Sequence, residues 1–403
     1  MATRGSATLD DVRRHNLARL LGELHGNGPA TRSGLVAFSG LNRSTVGVLV
    51  SELADAGLVF EGAGAAGQVG RPSLVVQPRP ESAVVVAFDI RVERTVVAVV
   101  GLGGSVLHRR EQRHRRSTYT PQAAVKNIVS LTRQALLEAP AGSAWVGTGI
   151  GVPGIVNQDD GLVRLAPNLG WTDVPMGALA TAALLREFGR VPALTVGNDA
   201  DLGAIAEWAR GAGRGTRNLI YVSGEVGVGG GIIVDGRLML GAGGYGGEIG
   251  HMVVNPDGAR CRCGARGCWE TEIGRDAVVR AAGLEGEQVE VADVMAAAVA
   301  GDRQAAAAVS RVGDWLGVGL ANLVNLFNPE VLVLGGHLRH LLPLVSVQVT
   351  ERIQAALPAA REQARIEIPA LNGDSTLLGA AESAFEALLD DPVGVLTRAT
   401  SAG

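Results

Sequence analysis

The three cysteines of the chain, Cys261, Cys263 and Cys268, fall within eight residues, and the nearest upstream histidine is His251, in Gly247-Glu248-Ile249-Gly250-His251. Three thiolates and an imidazole are the ligand set of a tetrahedral zinc ion, with sulfur about 2.3 Å from the metal. No cysteine is left over for a disulfide. Gly264-Ala265-Arg266-Gly267 is small and polar enough for the loop to fold back and bring the sulfurs together. Four protein ligands leave no position for an activated water, so the spacing predicts a structural zinc site formed by His251, Cys261, Cys263 and Cys268.

A metal loop of this kind needs a scaffold, and 403 residues predict two or three domains around it. The chain is 47% hydrophobic and 19% charged, with 57 glycines, a globular composition rich in tight turns. Residues 1–14 hold no apolar core followed by a cleavage site, and no stretch approaches a membrane span, so a cytoplasmic protein with no membrane partner is expected. A net charge of −4 argues against a nucleic-acid coat; any DNA contact must come from a local basic face.

Asp11 to Phe60 reads as three short helices. Leu17, Leu20, Leu21 and Leu24 recur at helical spacing, Asn27-Gly28-Pro29 ends the first helix, and Thr31 caps the second. A turn at Ser39-Gly40-Leu41 leads to Asn42, a good N-cap for a third helix from Arg43 to about Ala56, which Gly57 stops. Leu58-Val59-Phe60 and Leu74-Val75-Val76 then flank a glycine-rich stretch as the two arms of a hairpin wing. The pattern predicts a winged helix-turn-helix DNA-binding domain over residues 1–76. Asn42, Arg43, Ser44 and Thr45 would lie at the major groove, and Arg71 in the wing would reach the minor groove or its phosphates.

Gln77-Pro78-Arg79-Pro80 predicts a stiff linker over residues 77–82. Strands and helices then alternate. Residues 84–89 and 95–100 form a buried strand–turn–strand, and a similar unit returns at 219–222 and 229–236. Two such units predict a duplicated α/β fold of two lobes, with a ligand cleft where they meet.

These motifs together resemble the ROK family of repressors and sugar kinases. The resemblance rests on Gly151-Val152-Pro153-Gly154, Pro167-Asn168-Leu169, Asn198-Asp199-Ala200, Gly227-Val228-Gly229-Gly230-Gly231, Gly247-Glu248-Ile249-Gly250-His251, the cysteine cluster with Glu270, and Leu334-Gly335-Gly336. It implies an actin-like, hexokinase-like pair of lobes, over residues 83–200 and 201–374, with a C-terminal helix near 375–390 returning to the first. It implies a sugar held by Gly154, Asn168, Asn198, Asp199, Glu248, His251 and Glu270. The residue types suit the task, because sugar hydroxyls are bound by rigid carboxylates and amides. A metal on one ring nitrogen of His251 would also orient the other toward a hydroxyl.

The kinase chemistry of the family is broken. Where its kinases carry Asp-x-Gly-Gly-Thr, this chain has Asp89-Ile90-Arg91-Val92-Glu93, whose side chains block a close backbone approach to phosphate. Where they carry Gly-Thr-Gly-Ile-Gly-Gly-Gly, it has Glu225-Val226-Gly227-Val228-Gly229-Gly230-Gly231, which adds an anion. Asp199 matches the catalytic base, but phosphoryl transfer depends on positioning the donor, so no ATP use is expected and Asp199 is left as a sugar acceptor. The resemblance implies a sugar-responsive DNA-binding regulator, a repressor, whose partners are operator duplex DNA and a monosaccharide or sugar phosphate. Operator symmetry requires a homodimer or homotetramer. A regulator that still phosphorylates its sugar, and a zinc-stabilised interaction protein with a vestigial cleft, are the competing readings.

Overall fold

A computed structural model describes residues 8–63, 74–284 and 289–400. The chain divides into two compact units, one of Met1–Val152, Asp160–Gly197 and Ala380–Gly403, the other of Pro153–Asp159 and Asn198–Gly379.

The first unit begins with helices Leu9–Asn27, Arg32–Ser39 and Arg43–Asp55. The first is 19 residues long rather than short. Thr8 and Asp11 form a reciprocal capping box that starts it two residues before Asp11. Thr31 accepts from the Gly34 N–H and Asn42 from the Thr45 N–H, so the other two helices start at the expected caps. Leu20, Leu21, Leu24, Leu35, Val46, Val50 and Leu53 are fully buried in this segment. A three-stranded antiparallel sheet, in the order Ala30–Thr31, Leu74–Pro78, Val59–Ala63, packs beside the helices. Residues 64–73, Arg71 among them, lie outside the described residues. Gln77 and Pro78, expected in the linker, pair with Phe60 and Val59 instead, which leaves only residues 79–82 as the connection.

The main sheet of this unit has five strands in the order Ala193–Asn198, Ala144–Val152, Ala83–Ile90, Arg94–Gly101, Ser105–Arg113. Ala83–Ile90 is antiparallel to Arg94–Gly101 and parallel to Ala144–Val152, and its side chains are all buried, as in a strand covered on both faces. The helix Ser375–Asp390 seats its Ala380–Asp390 part directly on this sheet. A Cβ at Gly147 or Gly149 would collide with the carbonyl oxygens of Ala384 and Ala380, so only glycine permits the approach.

The second unit repeats the plan. Leu219–Gly224 is antiparallel to Val228–Val234 and parallel to Val331–Gly336, with Arg237–Leu238 and Arg365–Glu367 at the edges. The strand alternates its side chains between two cores. Ile220 and Val222 join Trp269, Leu316, Leu320 and Leu334. Leu219 and Tyr221 join Ala200 and Ala204 of the helix Asp199–Arg210. Among the described residues no helix is long and apolar enough to cross a membrane.

Candidate functional site

The cysteine loop is held by its own backbone. Cys261 N–H donates to Ala265 O at 2.9 Å, Gly267 N–H to Ala259 O at 2.8 Å, and Cys268 bridges Val253. Gly264 and Gly267 take φ values of +97° and +73°, the left-handed turns that reverse the chain between the sulfurs. The ligand atoms of His251, Cys261, Cys263 and Cys268 all lie within 4.8 Å of one another. Cys263 Sγ is 3.6 Å from Cys268 Sγ, and Cys261 Sγ is 3.6 Å from His251 Nδ1. Those separations match the edge of about 3.8 Å of a tetrahedron with 2.3 Å bonds. The four side chains fit one metal ion.

His251 faces two carboxylates. Its Nδ1, on the cysteine side, is 3.6 Å from Glu270 Oε1, and its Nε2 is 3.9 Å from Glu248 Oε2. The nitrogen that would face a metal is therefore Nδ1, which leaves Nε2 turned toward Glu248. Glu270 Oε1 also accepts from Cys261 Sγ at 2.8 Å, so this carboxylate stands against the metal loop. Burial, reinforced by Glu270 and opposed by His251, raises the pKa of Glu248.

Asn198 caps the helix Asp199–Arg210, its Oδ1 accepting from Ala200 N–H at 2.7 Å and Asp201 N–H at 3.1 Å. Its Nδ2 donates to Gly154 O at 2.6 Å, where Gly154 has φ +133°. The amide thus joins the Gly154 turn to the helix start and holds Asp199 at the first helical position. Gly154, Asn198, Asp199, Glu248, His251 and Glu270 all belong to the second unit. Asn168 belongs to the first, in the turn closed by Gly170 N–H to Pro167 O.

A small pocket is lined by Val156, Asn198, Asp201, Gly229, Gly230, Gly247 and Glu248. Asp201 is a member that the sequence reading passed over. It is 6% exposed, with Gln158 Nε2 donating to its Oδ2 at 3.4 Å. Burial first, then the charges of Asp199 and Glu248, push its pKa up to about 8. In sequence it reads as a first-turn acid complementing the helix dipole; only its spacing from the capping Asn198 hinted that it faces the pocket.

The raised value carries a sign for stability. The folded chain keeps a proton on Asp201 that the unfolded chain releases near pH 4, so this group lowers stability progressively as pH rises from about 4 to about 8. Asp201→Asn, a mimic of the protonated acid, is expected to melt higher than the parent at pH 8, with the gap narrowing toward pH 5. Thermal unfolding of both proteins across that range checks it; a gap independent of pH would refute the assignment.

The two turns that would cradle phosphate carry side chains. In the first, Arg91 Nε donates to Asp89 Oδ2 at 2.6 Å and Arg91 N–H to Arg94 O, closing a tight three-residue connection. In the second, Glu225 N–H donates to Gly227 O, and a Cβ at Gly227 would stand 2.7 Å from Glu270 Oε2. In the N-terminal segment, Arg43 and Ser44 are exposed at the start of their helix and Thr45 is half-buried. Asn42 Oδ1 accepts from Thr45 N–H and from Ser44 Oγ, so Asn42 shapes this surface through its cap.

A model described as ROK family matches residues 85–386. The xylose repressor of Bacillus spizizenii is 28% identical over 382 residues, 94% of this chain and 97% of that protein. The xylose repressor of Bacillus subtilis is 30% identical over 336 residues, 83% and 85%. A glucokinase of Streptomyces coelicolor is 31% identical over 334 residues, 76% of this chain and 98% of the enzyme. Among solved structures, a ROK family transcriptional regulator, a homologue of the E. coli MLC protein, superposes with a TM-score of 0.77 at 25% identity, covering 98% of this chain and 100% of that one. A Streptomyces griseus glucokinase in complex with glucose and AMPPNP gives 0.62 at 28% identity, with 75% and 99% covered. Kinases match three quarters of the chain and regulators match almost all of it; the protein belongs to the ROK family, and its full-length likeness is to that family's transcriptional regulators.

Proposed function

We propose that the protein is a sugar-responsive transcriptional repressor that binds operator DNA as a homo-oligomer in the cytoplasm and does not phosphorylate its sugar. The observation that carries the reading is the full-length likeness to xylose repressors, which extends past the kinase-like part of the chain. Residues 1–78 act as a winged helix-turn-helix, 79–82 as the connection, and the rest as the two lobes of the sensor, with the C-terminal helix completing the first. Arg43, Ser44 and Thr45 read the major groove, Asn42 holds their helix start, and Arg71 contacts the minor groove or its phosphates. Because Arg43 is exposed at the helix start, Arg43→Ala is expected to weaken operator binding by about 1 to 3 kcal/mol. Unchanged affinity at fixed salt in a gel-shift titration would move the reading surface elsewhere.

Gly154, Asn168, Asn198, Asp199, Glu248, His251 and Glu270 hold the effector, and His251 with Cys261, Cys263 and Cys268 holds a structural zinc. The metal, when bound, fixes the loop; the chain's own contribution is to orient His251 Nε2 and the two glutamates toward the sugar. Burial raises the pKa of both Asp201 and Glu248, and the charges of Asp199 and Glu248 raise that of Asp201 further, which supports a pocket that already holds too much negative charge. A phosphate dianion would add to that repulsion, which favours an unphosphorylated sugar.

The test titrates purified protein with D-xylose, D-glucose and their phosphates while operator affinity is followed, with a coupled ATP assay alongside. The expected result is a response to a free sugar, none to its phosphate, and no turnover. Turnover that vanishes in Asp199→Asn would favour a regulator that still phosphorylates its sugar. An operator affinity that no sugar alters would favour an interaction protein.

A further inference from the structure

His25 lies in the last turn of the first helix and is 2% exposed, an unusual place for an imidazole. Gly103 N–H donates to its Nδ1 at 3.0 Å. That bond makes Nδ1 an acceptor, so the ring proton resides on Nε2, which donates to Glu382 Oε2 at 3.1 Å. Phe385, one turn further along the helix Ser375–Asp390, packs on the ring with centroids 4.8 Å apart. The first helix is in turn joined to the third by the ion pair Arg13–Glu52 at 2.9 Å, and the third begins at Arg43.

The other end of the same C-terminal helix is tied down separately. Thr376 Oγ1 donates to the main-chain carbonyl of Asp199 at 3.0 Å, and Ser375 Oγ to Glu207 at 2.7 Å. Thr376 and Glu382 are six residues apart in one continuous helix. A buried apolar contact would hold the first helix as firmly, but it tolerates sliding. A pair of directional hydrogen bonds is made in one register and lost in others.

We propose that His25 and Glu382 are a positioning pair that fastens the N-terminal helices to the helix Ser375–Asp390, and that this helix, anchored on the backbone of Asp199, carries the sugar response to the DNA-reading surface. The inference rests on the repressor reading above and names the residues that would transmit its signal. A shift of Asp199 on sugar binding would reach the helix through Thr376 and break or restore the His25–Glu382 register.

The experiment compares the parent, His25→Phe, Glu382→Leu and Glu382→Gln for operator affinity with and without saturating D-xylose or D-glucose, while calorimetry follows sugar binding in each. In the parent the sugar is expected to change operator affinity about fivefold or more. In His25→Phe and Glu382→Leu the change should fall to within about twofold of none, with parental sugar affinity proving that the sensor is folded. Glu382→Gln keeps an acceptor for the ring N–H and should respond as the parent does. A responsive parent together with an equally responsive Glu382→Leu would overturn the relay alone. A Glu382→Leu protein without parental sugar affinity would overturn it too, since the pair would then be supporting the sensor itself. A parent whose operator affinity neither sugar alters would overturn the repressor reading and the relay with it.

Discussion

Cys268→Ser is expected to yield a protein that binds operator DNA but no longer hears its sugar. Cys268 is fully buried, 3.6 Å from Cys263, and its loss leaves three ligands around a metal that requires four. The consequence reaches the sugar residues because the same loop carries them. Glu270 rests on Cys261, and His251 presents Nδ1 to the cysteines and Nε2 toward Glu248. Without the metal the imidazole is free to rotate and the loop to open, and sugar affinity should drop by about 10- to 100-fold, the loss that goes with giving up a hydrogen bond to a charged group, about 1.5 to 3 kcal/mol. The N-terminal helices proposed to read DNA contain none of the four ligands. Metal analysis, calorimetry with D-xylose and operator titration on one preparation check each step. A dimeric variant, zinc-free by metal analysis, that kept the parental sugar response would end the assignment.

Glu207→Ala is expected to be the most destabilising single substitution outside the hydrophobic cores. The side chain is wholly buried, and its carboxylate accepts from Ala212 N–H at 2.9 Å, Ala370 N–H at 3.0 Å, Leu371 N–H at 3.3 Å and Ser375 Oγ at 2.7 Å. Truncation strands three main-chain donors at once. At about 1 to 3 kcal/mol for each, partly relieved by water entering the space, the loss should be about 3 to 6 kcal/mol. Glu207→Gln retains one accepting oxygen but turns an NH2 toward the other donors, so it should fall between the two. Urea unfolding of the three proteins measures the order; a loss below about 1 kcal/mol for the alanine variant would show that the donors find other partners.

The clustering of the cysteine loop and the helix starts were legible in the sequence because their determinants are local. Cys261, Cys263, Cys268 and the capping residues Thr31 and Asn42 act over a few residues, and pattern alone exposes them. Glu207, His25 and Asp201 were not legible. Glu207 and Ser375 are 168 positions apart and His25 and Glu382 are 357 apart, so nothing near either residue marks it as buried. Asp201 looks like an ordinary helix-start acid until Glu248 and Asp199 are placed beside it. The length of the first helix was missed because the capping box at Thr8 and Asp11 pairs threonine with aspartate, where glutamate or glutamine is the commoner partner. Gln77 and Pro78 read as linker from composition, whereas pairing with Val59 and Phe60 decides their conformation. Asn198 was singled out for what it would touch, and its amide is spent on the cap of its helix and on the Gly154 carbonyl.

The seating of Ala380 and Ala384 on Gly147 and Gly149 sets a condition on how the protein is made. The strand Ala144–Val152 leaves the ribosome more than two hundred residues before the helix that covers it, and the second unit is synthesised in between. Until that helix emerges, the fully buried face of the strand and the ring of His25 lack its cover, an interval of about ten seconds or more at about 5 to 20 residues per second. The second unit, whose two segments Pro153–Asp159 and Asn198–Gly379 are both synthesised before Ala380, can fold first. A nascent chain can therefore form its cysteine loop and pocket before the N-terminal helices gain their cover, and chains stalled short of Glu382 would lack the contact with His25.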